Sequence, residues 1–125
     1  MNFMQQTNVK NNEVSLTPFI EDNSINWDVV GNGISRKIMS YEERVMMVKV
    51  AFEKGAIGTL HSHPHIQLTF VQSGVFEVEI NQEKKVLRQG DVFHVPSGII
   101  HGVVCLKDGE LIDVFSPFRE DFVTS

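Results

Sequence analysis

The chain has 125 residues, 42% of them hydrophobic and 22% charged, a length and composition that predict one globular domain and exclude a second catalytic domain. Its 16 acidic and 11 basic residues give a net charge of -5, and no Lys/Arg run could follow a phosphate backbone, which argues against nucleic acid as a partner. No segment has the apolar length of a membrane span, and the first residues lack the apolar core of a signal peptide, so we expect a soluble, cytoplasmic protein without a membrane partner.

The first part of the chain is polar. Residues 1–26 are rich in Asn, Gln and Thr, so we expect an N-terminal arm there and one folded domain over residues 27–125. A turn signal at residues 31–33 precedes a short strand predicted over residues 34–39. Residues 45–52 predict a stronger strand, and its apolar residues on both faces indicate that it is covered on both sides.

The rest of the chain predicts a series of short strands. They are expected at residues 66–71, 75–80, 85–88, 92–95, 101–106 and 110–115, with Gly, Pro and Asn turns between them. The clearest of them alternates apolar residues with Glu77 and Glu79. No stretch has sustained helical periodicity. The pattern predicts an all-β fold, a double-sheet antiparallel barrel or jelly roll that protects its sheet edges.

The stretch from Gly55 to His101 holds histidines at spacings that favour one metal site. Because strand side chains alternate between faces, His61 and His63 on one strand would point the same way, and Gln67 and His101 could close on the same ion. A single strand histidine is more often a surface or core residue. Several at matching positions, each beside a turn glycine, indicate a site for one divalent transition metal ion.

Three further residues in this region have alternative interpretations. His65 has the same parity as the first two histidines but follows Pro64, so we expect it beside the pocket or the ligands. His94 lies in an apolar strand and is expected in the core or an interface. Cys105, the only cysteine, excludes an internal disulfide, and its apolar neighbours predict an inert buried thiol.

Two spaced motifs connect these residues to a known family. The motifs Gly55-x5-His61-x-His63-x3-Gln67-x6-Gly74 and Gly90-x5-Pro96-x-Gly98-x2-His101 resemble the two signature motifs of the cupin superfamily. The resemblance implies a single-domain jelly-roll barrel, also called a double-stranded β-helix, with a metal bound by His61, His63, Gln67 and His101. Two positions depart from the family pattern: Gln67 replaces the usual Glu, and Cys105 replaces the usual Asn. A neutral amide leaves the charge of the ion uncompensated, which would favour an anionic substrate. The alternative is that Gln67 only forms a hydrogen bond beside a site of three histidines.

A second group of polar residues lies near the end of the chain. Asp113 shares a strand face with Phe115, and an acid in an apolar strand needs a partner or a function; both an inward and an outward orientation stay open. Arg119 follows a proline, and its planar fork suits a carboxylate. The alternative for Arg119 is a solvated ion pair with Glu120 or Asp121.

Within the superfamily, the chain is similar to the KdgF group of uronate-linearising cupins of pectin and alginate breakdown. The similarity spans residues 33–123, although Ile66 replaces a usual Glu. It matches the four metal ligands already named, and it implies catalytic roles for Asp113, Phe115 and Arg119.

The resemblance also implies the reaction and the substrate. A metal-dependent enzyme of this group opens the ring of a 4,5-unsaturated monouronate and yields the linear 5-keto-4-deoxyuronate. Asp113 would move the proton, Arg119 would hold the carboxylate, and Phe115 would pack the ring or exclude water. Two alternatives stay open: a non-haem iron dioxygenase and a non-catalytic sugar-binding or sugar-sensing cupin. The ligand types leave Zn, Ni, Fe, Mn and Co open, and the apolar strand faces predict a homodimer.

Overall fold

A computed structural model describes residues 17–123. A 3-10 helix at Asp22–Ser24 is followed by eight strands and one short α-helix: β1 Asp28–Gly31, β2 Ile34–Glu42, β3 Val45–Phe52, β4 Ile57–His61, β5 Ile66–Ile80, β6 Glu83–Arg88, β7 Val92–Val95, β8 His101–Ser116 and α1 Glu120–Val123. The predicted all-β jelly-roll barrel is confirmed. Within residues 17–123, no helix is long and apolar enough to cross a bilayer.

All strand pairs are antiparallel, and β8 lies at the centre of the sheet. The order is β1-β2-β3-β8-β5-β6, with β4 added on β8 and β7 added on β5. The first half of β8 pairs with β4 and the second half of β5, whereas its second half pairs with β3 and the first half of β5. The barrel has two layers, and β5 and β8 each run through both of them because their two halves pair with different neighbours. The two long strands thereby close the barrel.

Each of these long strands was predicted as two short ones. Gly74 was read as part of a turn, but it lies inside β5, at register shifts that mark a bulge. Its φ is +83°, and a Cβ there would come within 2.6 Å of Gly109 Cα on β8. The strands can bend together without ending because neither glycine has a side chain.

The shortest elements were the hardest to predict. The strand β1 and the helix α1 have four residues each, too few to display a period, and the sequence analysis missed both. The strand β6 begins two residues earlier than predicted because Asn81 and Gln82 form the tight turn by themselves, with φ of 50° and 71°. Positive φ at both residues is typical of a two-residue hairpin.

The barrel interior contains two apolar clusters. The larger one includes Phe76, Val71 and the thiol of Cys105, and the smaller one contains Tyr41, Met46, Val48 and Phe115. Burial raises the pKa of the Cys105 thiol, and its Sγ donates to the carbonyl of Lys107 at 3.0 Å. The predicted buried cysteine is confirmed.

Part of the expected N-terminal arm contacts the barrel. Ile25 is buried, and Asp22 Oδ1 accepts hydrogen bonds from Lys37 Nζ at 3.2 Å and Lys49 Nζ at 3.0 Å. Residues 1–16 of the arm lie outside the described residues. The boundary at residue 26 stays a prediction.

Candidate active site

Three histidines lie together where β4 ends and β8 begins. His61 is the last residue of β4 and His101 the first of β8, and the two are paired across the ladder. His63 lies in the loop after β4, so the prediction of His61 and His63 on one strand is wrong. The loop nevertheless brings His63 to the other two, and one ring nitrogen from each of the three lies within 4.8 Å of the others. Three imidazoles this close could hold a metal ion.

Each imidazole is oriented by a backbone carbonyl. The Nδ1 atoms of His61, His63 and His101 lie 2.8, 3.0 and 2.9 Å from the carbonyl oxygens of Thr59, His65 and Ile99, respectively. A carbonyl only accepts, so each Nδ1 must carry the proton and each Nε2 is left with a free lone pair. This is the arrangement by which proteins orient histidine ligands.

Burial favours the neutral form of His63 and His101. It lowers the pKa of His101 to about 4, and burial, followed by the charge of Arg119, lowers the pKa of His63. The Nε2 atom of His101 is buried and has no hydrogen-bond partner among the described residues. A buried ring nitrogen with an unshared lone pair is suited to binding a metal ion.

Gln67 offers a fourth candidate ligand atom, its amide oxygen Oε1, beside His63. Its Nε2 donates to Thr69 Oγ1 at 2.9 Å, which turns Oε1 towards His63 Nε2 at 3.0 Å. With the His63 proton on Nδ1, these two facing atoms are both acceptors. A divalent cation bound by both would replace this repulsion with attraction, so the three imidazoles and the amide oxygen fit a metal ion.

Asp113 faces the interior, which resolves the orientation that the sequence left open. It pairs with Thr69 across β5 and β8, and Thr69 Oγ1 donates to Asp113 Oδ1 at 2.7 Å. Burial raises the pKa of Asp113 to about 6, against the lowering effects of Thr69 and Arg119. The hydroxyl of Thr69 thus connects the amide of Gln67 to the carboxyl group of Asp113.

Phe115, near the end of β8, and Arg119, just before α1, belong to the same site. Phe115 is buried and makes an edge contact with the His63 ring, with 5.7 Å between centroids. The Arg119 Cζ lies 5.0 Å from the Phe115 centroid. Arg119 also binds Asp121 through both carboxylate oxygens, at 3.0 and 2.8 Å, so the ion pair weighed as its alternative is present.

These groups surround one interior cavity of about 170 Å³. Its walls include three of the four candidate ligands and the three candidate catalytic residues, namely His61, Gln67, His101, Asp113, Phe115 and Arg119. The sequence analysis missed Arg36 and Phe122, which line the same cavity, and the bridging Thr69. Strand parity with Gln67 could have indicated Thr69, whereas no local signal marks Arg36.

The two remaining histidines lie outside the ligand group. His65 is half-buried, with its ring centroid 6.5 Å from that of Phe115, and its carbonyl orients His63. This agrees with the expected place beside the ligands. His94 is exposed, so its placement in the core is wrong, and its place in an interface stays a prediction.

Comparisons with known proteins agree with this architecture. The family model described as Cupin domain matches residues 48–115. The pectin degradation protein KdgF of Dickeya dadantii (strain 3937) is 48% identical over 107 residues, covering 84% of this chain and 96% of that protein.

Two solved structures are similar along most of the chain. An RmlC-like cupin from Shewanella frigidimarina NCIMB 400 has a TM-score of 0.84 and 41% identity, covering 86% of this chain and 96% of that one. The structure of KdgF from Halomonas sp. has a TM-score of 0.82 and 42% identity, covering 85% of this chain and 98% of that one.

Proposed function

The chain belongs to the cupin domain family, and on this premise we propose that it is a metal-dependent enzyme that linearises 4,5-unsaturated monouronates to 5-keto-4-deoxyuronates. The observation that carries the proposal is one cavity lined by histidine and amide side chains that could bind a metal, a half-buried acid and a guanidinium. The similarity to proteins named KdgF, one of them a pectin degradation protein, supports the substrate class.

The proposed metal ligands are His61, His63, Gln67 and His101. A divalent ion at these residues would act as a Lewis acid that polarises oxygen atoms of the sugar and stabilises developing negative charge. All four donors are neutral when the imidazoles are unprotonated, so the protein itself leaves the charge of the ion uncompensated. This suits an anionic substrate such as a uronate.

The proposed reaction is an isomerisation and needs no second reactant. The bond between C1 and the ring oxygen breaks, the C1 hydroxyl loses its proton to give an aldehyde, and the ring oxygen is released as the enol at C5. A proton then adds to C4 and the enol becomes a ketone. Asp113 is the proposed proton carrier, because it lines the cavity and only its Oδ1 has a hydrogen-bond donor among the described residues.

Phe115 and Arg119 are proposed to complete the site. Phe115 is 2% exposed and contacts the His63 ring, so it would pack against the sugar and exclude water. Arg119 brings positive charge beside the reacting atoms. The Arg119 guanidinium already donates to both carboxylate oxygens of Asp121. Arg119 can therefore bind a substrate carboxylate only if it releases Asp121.

The test is direct turnover of an unsaturated monouronate made by a polysaccharide lyase. We expect the ultraviolet absorbance of the C4=C5 bond to fall on addition of the protein, to persist when a chelator is present, and to fall again after a divalent metal is restored. Asp113→Asn should abolish most turnover while metal content stays at the wild-type level. A metal-replete Asn variant with full activity would refute the role of Asp113.

The same assay separates this proposal from the two alternatives. Oxygen consumption during turnover, or activity confined to iron, would identify a dioxygenase. Uronate binding without loss of absorbance would identify a sugar-binding or sugar-sensing protein. Turnover of monouronates made by pectin and alginate lyases, compared side by side, would assign the source of the substrate.

We also propose that the protein is a homodimer. The outer face of one layer exposes apolar side chains on β3, β5 and β7, namely Met47, Ile66, Leu68, Phe70 and Val92. Met47 and Leu68 flank Val114 in adjacent strands, so this apolar surface is continuous. A monomer in sedimentation at micromolar concentration would refute the dimer. The cytoplasmic location expected from the sequence stays a prediction.

A further inference from the structure

Arg36 is a second guanidinium in the candidate active site. It lies on β2, where it pairs with Val50 of β3, and both residues line the cavity that also contains Gln67 and Asp113. Arg36 is partly buried. An arginine on the inner face of a barrel carries a desolvation cost, which is offset when the residue has a binding function.

The short helix α1 holds this guanidinium in place. The Arg36 Cζ lies 3.8 Å from the centroid of the Phe122 ring, and the Arg119 Cζ lies 4.2 Å from the same centroid. Stacking on an aromatic ring orients the plane of a guanidinium without using any of its N–H donors. Burial, followed by the charge of Arg119 at the same ring, lowers the pKa of Arg36.

The two arginines differ in what their donors contact. Arg119 is engaged by both oxygens of Asp121. The guanidinium of Arg36 has no hydrogen bond and no ion pair within 4.0 Å among residues 17–123. The charges of Asp121 and Asp28 act on it from farther away. Its planar set of donors is therefore the one available to a ligand in the cavity.

We propose that Arg36, stacked on Phe122, binds the substrate carboxylate and makes the site specific for acidic sugars. The proposal rests on the proposed function for the identity of the sugar. Arg119 then keeps Asp121 as its partner and stays over Phe115, beside the reacting atoms. The carboxylate would be held on the β2 side of the cavity, with the sugar ring between it and the candidate metal ligands.

The test compares an acid with its uncharged counterpart. The metal-loaded full chain and its Arg36→Gln, Arg36→Lys and Arg44→Gln variants are assayed with the unsaturated monouronate and with its methyl ester. Arg44 is the matched control because its side chain is 87% exposed. For Arg36→Gln we expect the KM of the acid to rise about 10- to 100-fold, the loss typical of a charge-assisted contact. The KM of the ester should rise by a smaller factor, so the ratio of kcat/KM for the acid to kcat/KM for the ester should fall.

The lysine variant keeps the proposal testable if the glutamine variant does not fold. Lysine keeps the charge but not the planar fork, so the preference for acid over ester should shrink to an intermediate value. Arg44→Gln should behave like the wild type. An unchanged preference in a folded Arg36 variant, or equal rises in KM for acid and ester, would overturn the proposal.

A binding measurement separates this proposal from the proposed reaction. Saturated galacturonate, which has no double bond to lose, is titrated into each protein by calorimetry. If the wild type leaves the unsaturated sugar intact but binds galacturonate more tightly than Arg36→Gln does, the proposed reaction fails and the role of Arg36 stands. Equal binding by both proteins, or no binding by the wild type, overturns the role of Arg36.

Discussion

Replacing Thr69 by valine would remove the hydroxyl bridge between the candidate metal centre and Asp113, and would leave only the direct contact of Gln67 Nε2 with Asp113 Oδ1 at 3.5 Å. The Thr69 hydroxyl accepts from Gln67 Nε2 at 2.9 Å and donates to Asp113 Oδ1 at 2.7 Å. Valine keeps the branched shape of threonine but has no polar atom. The substitution therefore removes both hydrogen bonds while the packing of β5 is kept.

The expected loss of stability follows from the two partners that are left. A buried polar group without its partner costs about 1–3 kcal/mol, so the amide of Gln67 and the carboxyl group of Asp113 together give roughly 2–6 kcal/mol. Asp113 lines the cavity, where water can replace the hydroxyl, so we expect about 2–3 kcal/mol. For a domain of this size, that lowers Tm by roughly 10 °C.

We expect Thr69→Val to weaken metal binding as well as to destabilise the fold. Without the Thr69 hydroxyl, the Gln67 amide keeps only its long contact with Asp113, so its Oε1 is held less firmly towards His63. Removing such an orienting partner typically weakens metal affinity about 10- to 100-fold. Thr69→Ser is the matched control, because it keeps the hydroxyl and loses one methyl group, at a cost of about 1 kcal/mol.

Metal affinity is measured by competition with a chromogenic chelator, and Tm by circular dichroism. We expect Thr69→Val to weaken metal binding and Thr69→Ser to bind metal like the wild type. If both variants bind metal equally, the hydroxyl does not orient Gln67, and the link between Gln67 and Asp113 is only a feature of packing.

Three further predictions test the centre and the barrel. Gln67→Glu should raise the affinity for the metal about tenfold, because it adds one negative charge at the ion, and should lower the affinity for the anionic substrate. Unchanged affinities for metal and substrate would contradict the role proposed for the neutral ligand. Gly74→Ala should cost about 3–5 kcal/mol in the free energy of unfolding by urea, because its Cβ would meet backbone atoms of Asp108 and Gly109. Gly90→Ala, also at positive φ but with no atom within 4 Å, should cost about 1 kcal/mol, and equal losses would remove the close approach as the cause. Adding a chelator to the metal-loaded protein should lower Tm reversibly, since bound metal at 100 times its Kd contributes about 2.7 kcal/mol; an unchanged Tm would indicate that these residues hold no metal.

Much of the site could be anticipated because its ligands follow a local pattern. His61, His63 and Gln67 lie within seven residues, and their spacing to His101 is set by the turns of the motif. The three histidines lie together even though the predicted element was wrong for one of them, since His63 lies in a loop rather than on β4. A ligand can meet an ion from a strand or from a loop, so residue type and spacing predict more than the local conformation does.

Local pattern was less informative about the strands that change layer. β5 and β8 were each predicted as two strands because their glycines resemble turn signals. In the sequence, Gly74 and Gly109 resemble turn glycines. In the structure, the two residues lie inside β5 and β8 and contact each other. A close approach between residues 35 positions apart leaves no trace in either local window.

The chain alone carries the alternation that makes it all-β, the donor types that suit a divalent metal, and the pairing of Asp113 with Phe115 on one strand face. Strand periodicity assigns residues to two faces but does not say which face is inside. That choice depends on pairing between distant strands, which sets Thr69 beside Asp113 and brings Arg36 and Phe122 together from opposite ends of the domain. The types and short-range spacing of the candidate ligands can therefore be read from the sequence. The residues proposed to orient them and to bind the substrate come together only when distant strands pair.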